Sequence, residues 1–77
     1  MYINVTYDIT TDWQEREIEL ADIAGTHFAE RVGSCTSLDG TTRTVEFFVS
    51  PVGEDAMLLL SSFKSVCYDW DGFSLEY

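Results

Sequence analysis

A chain of 77 residues with 45% hydrophobic and 14% aromatic content has room for one domain and one small core, and is too apolar to be disordered. Fourteen acidic residues against four basic ones leave a net charge of −10, spread along the whole chain, which excludes a separate acidic tail. A surface of that sign repels nucleic acid and anionic membranes and attracts basic partners; a merely soluble acidic domain is the plainer reading.

Tyr2 to Ile9 alternates, with Ile3, Val5, Tyr7 and Ile9 on one side and Tyr2, Asn4, Thr6 and Asp8 on the other. Its β-branched and aromatic content predicts a strand with one buried face. Thr10-Thr11-Asp12 then stops the strand, and both Thr11 with Gln14 and Asp12 with Glu15 have capping-box spacing.

Thr11 to Val32 follows a helical period. Trp13, Leu20, Ala21, Ala24, Phe28 and Val32 fall on one side, with Ile18 and Ile23 at its borders; Glu15, Glu19, Asp22, Thr26 and Glu30 form a polar stripe opposite. Residues 14–20 also alternate as a strand would. Continuation of the stripe to Glu30 favours the helix. Gly25 costs such a helix about 1 kcal/mol and marks either a close approach to the sheet or a helix that begins later.

Gly33 suits a helix terminator. Ser34–Leu38 and Thr41–Ser50 are then expected to form a hairpin closed by a type I′ turn at Asp39-Gly40, with the short polar first arm at an edge. Pro51 with Glu54-Asp55 opens a second helix whose Ala56, Leu59, Leu60, Phe63 and Val66 should face the sheet. Phe73 to Tyr77, after Asp71-Gly72, is the expected last strand. The order β, α, β, β, α, β is that of an α+β, ferredoxin-like βαββαβ sandwich, with two helices on one face of a four-stranded antiparallel sheet. Right-handed crossovers place the first and third strands centrally. Cys35 and Cys67 then lie toward opposite edges, too far apart to bridge.

No catalytic or cofactor motif stands out. The single histidine, His27, lies at the apolar border of the first helix, where a satisfied, partly buried side chain is the usual role. There is no GxSxG elbow, phosphate loop or CxxC pair, and Asp8, Asp69 and Asp71 lack the run of a calcium loop. Relatives of this fold with known chemistry fit poorly. A copper chaperone needs CxxC, an acylphosphatase needs an arginine-bearing loop after the first strand, and an RNA-recognition domain needs a Gly-flanked pattern around its third-strand aromatics, which RTVEFFV lacks, and a charge that does not oppose RNA. The expectation is a protein that is not an enzyme and carries no cofactor or metal.

What the residues favour is binding. Glu15, Glu19, Asp22 and Glu30 recur about once per turn, roughly 6 Å apart along the axis, close to the phosphate spacing of a nucleic-acid strand. Asp69 and Asp71 extend the negative face, and Tyr68 and Trp70 offer aromatic anchors. In size, charge and expected architecture the chain resembles the small acidic inhibitors encoded by phages, the anti-CRISPR proteins among them. That resemblance implies a partner with a basic, nucleic-acid-binding surface and a cytoplasmic location, in a host cell if phage-encoded; two free thiols and the lack of a basic leader at Tyr2–Ile9 agree with it. The other reading is a homo-oligomeric, ACT-like domain that binds a small molecule and dimerises through the open face of its sheet, where Tyr2 and Phe48 stand.

Overall fold

The N-terminal alternation becomes β1 (Tyr2–Asp8), with Ile3, Val5 and Tyr7 fully buried. The computed structural model describes residues 1–77 and continues with α1 (Trp13–Thr26), β2 (Glu30–Thr36), β3 (Thr42–Phe48), α2 (Asp55–Cys67) and β4 (Ser74–Glu76). Every strand pairing is antiparallel and the order is β2-β3-β1-β4, so the expected α+β, ferredoxin-like βαββαβ arrangement is the one found.

One core joins the layers. Leu20 and Ala24 of α1 and Ala56, Leu59, Leu60, Phe63 and Cys67 of α2 pack on Ile3, Val5, Tyr7, Val45, Phe47 and Val49. The far side of the sheet is open. There Tyr2 and Phe48 face each other across β1 and β3 with ring centroids 5.2 Å apart, edge to face.

The first helix is shorter than its acidic period suggests. It closes with Phe28 N–H on Gly25 O (3.2 Å) and Ala29 N–H on Ala24 O (2.9 Å), the paired bonds of a Schellman motif. The residue that turns the chain is Phe28, at φ 58 and 86% exposed. A glycine normally occupies that position, because a Cβ there meets the backbone. Phe28→Gly is therefore expected to stabilise the fold by about 0.5–1 kcal/mol, a rise of a few degrees in Tm. An unchanged or lower Tm would show that the ring makes contacts which offset the strain.

Three further expectations shift with that boundary. Glu30 leaves the helix and begins β2, and Gly33, instead of ending a helix, sits inside β2 opposite Glu46, just after a bulge at Val32. Neither capping box forms: the Thr10 hydroxyl donates to the Asp12 carboxylate, which also pairs with Arg16 at 3.7 Å. The hairpin turn is not type I′, because of Asp39 and Gly40 only Gly40 has positive φ (74°). Instead Gly40 N–H bonds Ser37 O at 2.9 Å, and the Asp39 carboxylate accepts from the Ser37 hydroxyl (2.6 Å) and from the Thr41 N–H (3.1 Å) and hydroxyl (2.8 Å). Those bonds hold the Asp39 carboxyl below its usual range.

Candidate functional site

Helix geometry alone puts Glu15, Glu19 and Asp22 on the side of α1 away from Leu20 and Ala24, and all three are exposed. What distinguishes them is that none is in an ion pair. Arg16 pairs with Asp12 and stacks on Trp70 at 4.9 Å, Arg31 and Arg43 both pair with Glu17, and Lys64 lies 5.8 Å from the Tyr77 ring. Of fourteen carboxylates, only Asp12 and Glu17 are in ion pairs. The three arginines are thus paired within the chain, Lys64 is exposed and in no ion pair, and most of the outer carboxylates carry no counter-charge.

The remaining residues expected at the site divide. Asp69 and Asp71 are exposed in the turn after α2, and Tyr68 beside them is 76% exposed. That turn is anchored to β1 by Asp8 N–H on Asp71 O (2.8 Å), and a side chain on Gly72 (φ 68°) would collide with the Asp8 carboxylate. It adjoins α1, since the Arg16 guanidinium lies over the Trp70 ring at 4.9 Å. Trp70 is not a free anchor: it packs edge-on against Tyr7 at 5.3 Å under the Arg16 guanidinium. Glu30, paired across from Phe48, stands on the open face of the sheet and cannot join the helical row. The row from one rigid rod is therefore three carboxylates long, Glu15, Glu19 and Asp22, and the turn at 68–71 meets α1 at Arg16.

The residue that the sequence pattern hid is Glu17. It lies on the buried side of α1, 7% exposed, where its Oε1 accepts from Arg31 Nη1 (2.8 Å) and Arg43 Nη2 (3.1 Å). Arg43 also donates to Ser34 (2.9 Å) and Thr36 (3.1 Å) and stacks on Trp13 at 4.9 Å. One carboxylate thus clamps α1 to both β2 and β3. The signal was available: Trp13, Leu20 and Ala24 leave a gap in the apolar stripe at position 17, and a charge in such a gap needs a buried partner. Beside the clamp runs an open groove of about 640 Å³ between α1 and β2, walled by Trp13, Ile18, Ala21 and Arg31.

Other chemistry is sparse. His27 Nε2 lies 3.2 Å from the Ser62 hydroxyl between the helices, and no three His, Cys, Asp or Glu side chains converge as metal ligands would. No helix is long and apolar enough to cross a membrane. Cys35 is exposed and Cys67 buried, both as free thiols. Burial first, then Glu19 and Asp69, push Cys67 up to about 12, and burial followed by Glu17 does the same for Tyr7, whose hydroxyl donates to Trp13 O at 3.2 Å. A thiol reagent at pH 8 should modify one cysteine in the native protein and two in denaturant. Both groups keep their protons longer when folded, so stability is complete below pH ~9 and falls as pH rises toward 12. Circular dichroism against pH checks this; stability that held to pH 12 would contradict it.

Searches against protein-family models and against curated proteins return no match.

Proposed function

We propose that this protein is a non-enzymatic inhibitor. In this reading it docks its acidic side onto a basic, nucleic-acid-binding surface of another protein and keeps nucleic acid off it, in the manner of the small phage-encoded anti-defence proteins it resembles. The observation that carries this is the internal use of all the arginines, which leaves Glu15, Glu19, Asp22, Asp69 and Asp71 exposed without counter-charges. Unpaired carboxylates on a rigid helix attract a complementary cationic surface, speed encounter and set the register. Tyr68, exposed within the same region, supplies the apolar contact that a purely ionic interface lacks.

The test is capture from extracts of the native cell, followed by washes of rising ionic strength. The partner should be retained at about 50 mM salt and largely released by 0.5 M, because exposed charge pairs are screened within a Debye length. A complex indifferent to salt overturns the reading.

A second reading, a homodimer of ACT type formed through the open sheet face, is favoured by one feature: Tyr2 is 58% and Phe48 38% exposed in a contiguous aromatic pair. Against it stand Glu30, Glu46 and Glu76 on the same face, which would meet their own copies across a twofold axis. Sedimentation at low and high salt separates the two, since a dimer of this kind is strengthened by salt.

A further inference from the structure

We propose that β2 is a strand-addition site for an extended segment of the basic partner, a segment whose side chains alternate apolar and basic; this rests on the reading that the partner is basic. β2 is an edge, bonded only to β3, and all seven of its residues are exposed. None of the backbone bonds outside the helices and strands involves Glu30–Thr36, so the outward N–H and C=O groups of this strand are unpaired. The opposite edge, β4, has only three residues and offers no comparable template. The bulge at Val32 disrupts one end of β2 and leaves Gly33–Thr36 as the regular stretch against which a new strand can lie.

Each face of that stretch carries a depression, and Ser34 lines both. On the helix side the 640 Å³ groove has Ile18, 63% exposed, and Ala21 as its apolar wall under α1. On the open side a hollow of about 200 Å³ is bounded by Asn4, Gly33, Cys35, Thr44 and Glu46. Gly33 stands opposite Glu46 in the ladder and has no side chain to block the way, so a long cation from an added strand can pass over it toward the Glu46 carboxylate. Nothing lies within 4 Å of a Cβ placed on Gly33, so packing in the free protein does not demand a glycine there. A strand points successive side chains to opposite faces. Apolar residues at alternate positions would enter the groove below Ile18 while basic ones meet Glu46 and Glu30. Backbone pairing supplies affinity and the two depressions supply specificity, the recurrent division of labour in strand addition.

The test uses an acetylated eight-residue peptide of alternating valine and lysine, a block-sequence peptide of identical composition, and the alternating peptide N-methylated at every residue, so that neither edge can pair. Amide exchange in the protein should slow by about tenfold or more at Gly33–Thr36 with the alternating peptide alone. Ile18→Arg, an exposed position, should abolish that protection without changing the fold. Protection of β2 by the N-methylated or the block peptide overturns the proposal. So does protection of β2 that grows with protein concentration in the absence of peptide, which would identify a second copy as the occupant. Salt-sensitive binding of these peptides with no protection at β2 overturns strand addition and leaves the basic-partner reading standing; no binding of any cationic peptide removes both.

Discussion

Glu17→Ala is expected to lower Tm by roughly 12–20 °C, the largest single-residue effect on stability outside the apolar core. The substitution removes the only carboxylate near two guanidinium groups, of which Arg43 is 16% exposed in its side chain and has a buried Nε with no partner even in the intact protein. Removing one member of a buried pair costs about 3 kcal/mol or more, because the other member is left charged and desolvated. Arg31 is half exposed and recovers some hydration, which keeps the estimate at the lower end. A domain of this size has only a few kcal/mol of stability in reserve. Glu17→Gln retains the shape and one acceptor and should lose about half as much. Glu15→Ala and Glu19→Ala, both exposed and unpaired, should stay within about 0.5 kcal/mol of the parent. Thermal melts of the four variants check the ordering. Equal effects at 15, 17 and 19 would mean that the clamp does not hold α1.

Charge reversal at Glu15 and Glu19 together should weaken partner binding by at least about a hundredfold, equivalent to roughly 2.7 kcal/mol. The double change moves the net charge from −10 to −6 and places two cations on the face where the proposed function has a basic partner approach. Repulsion of this kind discriminates more strongly than simple loss of attraction. The fold should survive. Neither side chain makes a hydrogen bond or ion pair, and the loss of the favourable interaction between Glu15 and the positive end of α1 is offset by lower self-repulsion across the molecule. A Tm within a few degrees of the parent, together with lost binding, separates this variant from Glu17→Ala. Binding that persists in the Glu15→Lys, Glu19→Lys protein would place the interface elsewhere.

Most of the fold was legible because its elements have strong periods. β1 alternates over its whole length, α2 repeats Ala56, Leu59, Leu60 and Phe63 at helical spacing, and β3 is rich in β-branched and aromatic residues. The end of α1 was not legible, and the reason is local. Glu30 falls in phase with the acidic stripe by coincidence of spacing, and the residue that turns the chain is a phenylalanine where a glycine is expected. β2 compounds the difficulty. Exposed on both faces, its ERVGSCT has no apolar alternation to announce a strand, and the helical period of α1 runs on over its first residues. Glu17 is hidden for a different reason. Among the acids of a chain at −10, one more glutamate carries no local signal unless its place within the apolar stripe is weighed. Trp70, read as a surface anchor, is held inward by Tyr7 and Arg16, long-range contacts that no local pattern contains.

The central claim is that the negative side of α1 and the turn at 68–71 occupy a surface otherwise used by nucleic acid. Titrating the captured partner with labelled nucleic acid, at fixed concentrations of this protein, tests it directly. Competition is predicted: the apparent Kd for nucleic acid should rise linearly with the concentration of this protein, and excess nucleic acid should release it. A ternary complex in which both remain bound to the partner would contradict the account.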